Sequence, residues 1–281
     1  MTEDARLETT IETDFRRQLD YAGYLDLDKL LDAQHPLSRP EHHDEMLFII
    51  QHQTSELWMK LAVHELKAAV AHVREDELPP CFKILSRVKQ IQRMLFEQWA
   101  VLETLTPSEY AQFRGVLGHA SGLQSYQNRM IEFLLGNKDR ALLKLFEHLP
   151  DVHAELSRLL HAPSLYDEFL RFLHRSGFDL PAEAIERDWS EPYVEHPSVI
   201  EVFQQVYGAP DKYWNAYEMC EKLVDVEEYF ALWRFRHVKT VERIIGFKKG
   251  TGGSSGAPFL QRRLAIRLFP ELWDVRTSIG A

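Results

Sequence analysis

Along most of the chain apolar residues recur three and four positions apart, and strict apolar–polar alternation is nearly absent, so the pattern predicts helices and not strands. A first long helix is expected from about Glu41 to Arg74, ending before Pro79-Pro80, and a second from about Cys81 to Leu102. Thr106-Pro107-Ser108-Glu109 supplies a Thr N-cap, a proline at the first helical position and a capping-box glutamate, starting a helix that carries Tyr110 to Leu117. Ser121-Gly122 interrupts the pattern, and a further helix from about Leu123 to Leu135 stops at Gly136-Asn137 in the manner of a left-handed C-cap. Two or three shorter helices are expected over Asp139 to Phe178, followed by an irregular, Pro- and acid-rich crossing from Asp179 to Ser198. After Gly208-Ala209-Pro210 a helical pattern of about 35 residues reaches Ile245 before Gly246 ends it. No repeat or linker divides the chain, so the expected architecture is a single all-α domain over residues 1–281. It would be a helical bundle, whose interior is where cofactors and metals are usually held.

Composition narrows the possible functions. The chain has 281 residues, 45% of them hydrophobic, and a net charge of −10, which disfavours a protein that wraps nucleic-acid phosphates with clustered Lys and Arg. No stretch approaches the roughly 18 uncharged apolar residues of a membrane span. The opening MTEDARLETTIETD is acidic and unlike a secretory signal, so a cytoplasmic location is expected. Cys81 and Cys220 are far apart and outside any CxxC, too few for a disulfide framework or zinc ribbon, as in a reducing compartment.

Two histidines fall on apolar stripes. Leu223, Val226, Phe230, Trp233, His237, Thr240 or Val241, and Ile244 lie on one face of the C-terminal long helix. Phe48, His52, Ser55, Met59, Val63 and Leu66 do the same on the first. Each histidine could be a core imidazole satisfied by a carbonyl, or a ligand to a buried metal or haem iron. Two of them facing inward from different helices favour a cofactor. Other chemistry fails on spacing: His64-Glu65 lacks the second histidine of HExxH because Ala68 stands there, and inward Glu-x-x-His pairs do not recur as a di-iron bundle needs. The run His42-His43-Asp44-Glu45 reads as a solvated helix start.

Tyr110 and Arg114, four residues apart, set an aromatic wall beside a cation able to grip a small carboxylate, although an arginine packed along the surface by its methylenes fits equally. The glycine-rich stretch Gly246 to Gly256 matches neither a Walker loop nor a GxGxxG fingerprint. It could approach an anion closely or simply be a flexible connection.

Taken together and in order, HDEMLFIIQHQTSELW (His43 to Trp58), QWAVLETLTPSEYAQFR (Gln98 to Arg114), SGLQSYQNRMIEFLLGNK (Ser121 to Lys138), LWRFRHVKTVERIIGFKKGTGGSSG (Leu232 to Gly256) and FPELWDVRTS resemble the tryptophan 2,3-dioxygenases. The resemblance runs from about Tyr21 to Ser278. It implies an all-helical enzyme with one haem b per subunit that inserts both atoms of O2 across the C2–C3 bond of the L-tryptophan indole, giving N-formylkynurenine, the first step of tryptophan catabolism by the kynurenine pathway. By position, His237 matches the axial ligand of the haem iron and His52 the distal histidine near the indole N–H. Phe48 and Tyr110 match substrate-contacting aromatics within a substrate-binding set that also takes in Ile49, Ile50 and Gln51. Arg114 matches the holder of the substrate carboxylate and Thr251 the residue at the amino-acid end, while Trp99 and Ser121 match residues around the haem. The family pattern further implies a homotetramer in which an N-terminal segment, about residues 1–40 here, reaches a neighbour's pocket with Tyr21 and Tyr24. The related indoleamine dioxygenases lack a distal histidine, so His52 points to the tryptophan-specific branch. The competing classes are a haem carrier or sensor with both histidines on iron, and a helical scaffold with core histidines.

Overall fold

A computed structural model describes residues 8, 10–16 and 18–280, and every regular element among them is helical. The first seven residues of the expected N-terminal contact segment, with residues 9 and 17, lie outside the described residues. Two short helices, α1 (Tyr21–Leu25) and α2 (Leu27–Leu31), precede the long α3 (His43–Arg74), α4 (Leu78–Glu97) and the single turn α5 (Trp99–Leu102). Next come α6 (Pro107–Phe113), α7 (Tyr126–Leu135), α8 (Pro150–Leu160), α9 (Leu165–Arg175), the turn α10 (Ala182–Ile185) and α11 (Pro197–Gly208). The chain closes with α12 (Trp214–Ile245), α13 (Ala257–Arg263) and α14 (Pro270–Asp274). No helix among the described residues is long and apolar enough to cross a membrane.

The bundle centre is α4, which packs against both α3 and α12. Its buried Cys81, Leu85, Val88, Ile91, Gln92 and Leu95 follow helical spacing. They meet Leu66, Ala69, Val70 and Val73 of α3 and Met219, Leu223, Val226 and Phe230 of α12 in one core. Each of the larger aliphatic side chains contributes about 1.5–3 kcal/mol by leaving water. At 32 residues each, α3 and α12 are rods of about 48 Å, long enough to run past the core and bring His52 and His237 to the same cavity.

Several boundaries differ from expectation. Pro79 and Pro80 sit inside the first turn of α4, where a missing N–H costs nothing, and not before it. The helix expected to reach Leu102 ends at Glu97, and the chain restarts as α5 after Gln98. Gln98 spends its amide across the bundle, donating to Ser55 Oγ at 2.7 Å. Beyond Phe113 the backbone tightens to a 3-10 turn over Arg114–Leu117, and the expected helix start at Leu123 is a 3-10 turn, Gly122–Gln124, capped by Ser121. The Thr106/Glu109 capping box is present, and Gly136 ends α7 with φ 105°.

Buried carboxylates hold the irregular segments. Glu271 accepts from the hydroxyls of Tyr166 and Tyr193 and from the His196 N–H, fastening the 179–198 crossing. Glu227 of α12 accepts from Leu268 N, Phe269 N and Trp273 Nε1, anchoring the C-terminal segment. Such pairings offset the desolvation that otherwise makes a buried charge unfavourable.

Candidate active site

A cavity of about 520 Å³ opens between α3, α6, α7 and α12 and the glycine-rich loop. Phe48 and His52 of α3, Trp99 of α5, Tyr110 of α6, Arg114, Ser121, His237 of α12 and Thr251 all line it. Residues separated by about 200 positions in sequence thus line one cavity, with both long helices packed on α4.

His237 presents its ring to the interior of the cavity. It stacks on Trp99 with centroids 4.9 Å apart and planes at 9°, and Trp233 lies 6.1 Å away on the same helix. Burial, with a smaller effect from His52, pushes its pKa down to about 4, so the imidazole is neutral near pH 7 and keeps a lone pair for a Lewis acid. His52 lies with its Nδ1 2.7 Å from the carbonyl oxygen of Phe48. A nitrogen that close to a carbonyl must carry the proton, which leaves Nε2 as an acceptor. Burial lowers the His52 pKa as well, against opposing effects of that carbonyl and Glu56. The Phe48 ring packs 4.2 Å from the imidazole and 5.7 Å from Tyr110, forming an aromatic wall. Burial raises the Tyr110 hydroxyl pKa, and neighbouring Arg114 offsets that only in part.

At the rim, Arg114 Nη2 donates to the Lys249 carbonyl at 2.5 Å, and its Nε is buried without a protein partner. Thr251 Oγ1 donates to the Ala120 carbonyl. These bonds draw the glycine-rich loop against the 114–121 segment. A Cβ on Gly252 would lie 2.7 Å from Ser121 Cβ, so only glycine allows this approach, and Gly256 adopts φ 70° at the far end of the loop.

Not every residue of the expected set reaches the cavity. Ile49, Ile50 and Gln51 do not line it: Ile50 is exposed, and Gln51 is buried on another face, where its carbonyl accepts from Ser55 Oγ. Helical rotation of about 100° per residue turns them away between Phe48 and His52. Tyr21 and Tyr24 on α1 are 76% and 74% exposed and do not line this cavity. Conversely, the wall contains residues that periodicity did not single out. Arg129 and Arg234 are buried there, and Glu132 pairs with both Arg129 and Arg263, the latter at 2.9 Å. Arg234 donates to the carbonyls of Arg263 and Ile266, so it does not point out to solvent as an arginine next to an apolar stripe is expected to. The available signal was its place three residues after Ala231 and one after Trp233, on the flank of the buried stripe.

A family model described as tryptophan 2,3-dioxygenase matches residues 8–205 and 201–279. The tryptophan 2,3-dioxygenase of Serratia proteamaculans is 64% identical over 275 residues, covering 98% of each chain. That of Myxococcus xanthus is 60% identical over 273 residues, covering 97% of this chain and 94% of its own, and that of Kineococcus radiotolerans is 58% identical over 98% and 96%. Matches of this extent cover both long helices, the glycine-rich loop and the cavity between them, and the chain belongs to the tryptophan 2,3-dioxygenase family.

Proposed function

We propose that this protein is a haem-dependent dioxygenase that inserts both atoms of O2 across the C2–C3 bond of the L-tryptophan indole to give N-formylkynurenine, opening tryptophan catabolism by the kynurenine pathway. The observation that carries the reading is the pairing of two neutral histidines in one cavity, His237 stacked on Trp99 and His52 with Nε2 left as an acceptor. Family membership supports the substrate.

The cavity residues fit a haem. The neutral imidazole of His237 would hold the iron, and the buried, unpartnered Nε1 of Trp99 belongs to a ring already parallel to it. One haem b per subunit would be held by His237, with Trp99 and Ser121 at its border. When bound, haem would supply the iron redox chemistry that makes O2 reactive toward the indole.

The protein side chains do the rest. His52 accepts the indole N–H at Nε2 and thereby orients the ring; an indole proton is too weakly acidic for removal by a histidine of lowered pKa. Phe48 and Tyr110 flank the indole and exclude water. Arg114 takes the substrate carboxylate by two parallel hydrogen bonds and Thr251 bonds the amino-acid end. In this reading the chain assembles as a cytoplasmic homotetramer. The exposure of Tyr21 and Tyr24 supports their contacting a neighbouring subunit's cavity, and the two free, buried cysteines agree with a reducing compartment.

The deciding measurement is an absorption spectrum of the reduced, air-free protein before and after L-tryptophan, then with O2. A Soret band that shifts with tryptophan, followed by formylkynurenine absorbance, is the expected result; a haem-loaded protein indifferent to tryptophan would indicate a carrier or sensor. A pH dependence follows from His237. A ligand must be deprotonated to bind metal, so a histidine of ordinary pKa near 6.5 loses affinity about tenfold per pH unit below that value. With its pKa pushed down to about 4, His237 stays deprotonated over that range. Haem titrations of the apoprotein should therefore give a flat affinity from pH 8 to about 5, and a steady decline beginning at pH 6.5 would contradict the assignment.

A further inference from the structure

We propose that Glu103 is a positioning residue for the His237 side of this site, locking the Trp99 segment onto the turn of α12 that carries His237. The inference rests on His237 being the haem ligand. Glu103 closes α5, its N–H donating to the Trp99 carbonyl at 2.8 Å, so its backbone is fixed to the residue whose indole stacks on His237. Its carboxylate accepts two bonds from Arg236, at 3.2 and 3.0 Å, and a third from the Thr240 hydroxyl at 2.9 Å. Its carbonyl accepts from Arg243 Nε at 3.1 Å. Arg236 and Thr240 stand one residue before and three residues after His237, so a single side chain grips α12 on both sides of the ligand.

None of the bonds made by the Glu103 carboxylate is needed to form either helix. Arg236 and Thr240 hold helical backbone by their own main-chain bonds, and α5 is a single turn with no capping side chain of its own. What the carboxylate bonds bear on is the register of α5 against α12, the two elements whose Trp99 and His237 planes stack within 9° of parallel. The hydrogen bonds from Arg236 lower the Glu103 carboxyl pKa, so the clamp is ionic at neutral pH. Arg236 also lies over the Phe96 ring, 4.8 Å from its centroid, which limits its freedom to find another partner. A ligand imidazole without a direct side-chain bond is oriented by what packs on its faces, and outer partners of this kind commonly set metal affinity within a factor of 10–100.

The test compares wild-type, Glu103→Ala and Glu103→Gln holoenzymes by the iron–histidine stretching band in resonance Raman spectra of the ferrous protein, and by haem affinity. Glu103→Ala is expected to shift and broaden the band and to weaken haem binding about tenfold. Glu103→Gln keeps the shape and one acceptor, so it should recover the wild-type band in part. If Glu103→Ala fails to fold, a displaced band in Glu103→Gln alone sustains the proposal. Variants that melt at lower temperature yet keep the wild-type band and affinity would reduce Glu103 to a structural tether and overturn it. A wild-type protein that binds haem without any iron–histidine band would overturn the His237 assignment itself, a failure separable from that of Glu103.

Discussion

Replacing His237 with alanine yields a folded helical protein that no longer retains haem after purification and no longer turns over tryptophan. The imidazole is the cavity's only neutral nitrogen ligand besides His52 among the described residues that line it, and His52 already spends Nδ1 on the Phe48 carbonyl. Truncation removes a ring that packs between Trp99 and Trp233, a loss of buried contact that typically costs a few kcal/mol. The α4-centred core is untouched, so circular dichroism should stay helical while the Soret band disappears. Imidazole added at millimolar concentration can enter the space left behind and should restore part of the haem spectrum. Full haem content and activity in His237→Ala would sink the assignment. His52→Ala is the contrasting variant: haem is retained, and the effect falls on turnover.

The second large effect is expected at Arg114. An arginine gripping a carboxylate through two charge-assisted bonds contributes about 3 kcal/mol, or roughly a hundredfold in kcat/KM. Arg114→Ala should lose that factor for L-tryptophan while leaving tryptamine, which lacks the carboxylate, nearly unchanged. The preference between the two compounds therefore collapses instead of both rates falling together. Arg114→Lys keeps the charge without the planar fork and should fall between. If Arg114→Ala preserved the wild-type preference, the carboxylate would have to be held elsewhere, and the buried arginines of the Glu132 cluster would be the groups to examine next.

The two long helices were legible because each needs an apolar stripe over many turns, and a stripe of that length has one physical reading. The inward histidines could be read for the same reason, since His52 and His237 occupy stripe positions that apolar residues would otherwise fill. The Thr106 box and Gly136 stop were legible because capping is local chemistry. The break at Gln98 was not, since it depends on partners 43 and 44 residues away, Ser55 and Thr54. Nor did helical spacing mark Glu103, Glu132 or Arg234 as site residues. A charged residue next to an apolar stripe is normally solvated, and what makes these three different is the tertiary approach of α5, α7, α12 and α13. The loop was open to two readings, and its closeness to Ser121 is visible only once both segments are in place.

The hydrogen bonds from Arg114 to the Lys249 carbonyl and from Thr251 to the Ala120 carbonyl have a consequence for the kinetics of recognition. An amino acid arriving at this rim meets Arg114 Nη2 and Thr251 Oγ1 already bonded and Arg114 Nε without a partner, so its docking is in part an exchange of partners. The carboxylate then competes with a neutral carbonyl for Nη2 while gaining the open Nε, and selectivity comes from a charged acceptor outcompeting an uncharged one for the guanidinium. If the loop must release these two bonds before capture, an association rate below the diffusion limit is the expected measurement.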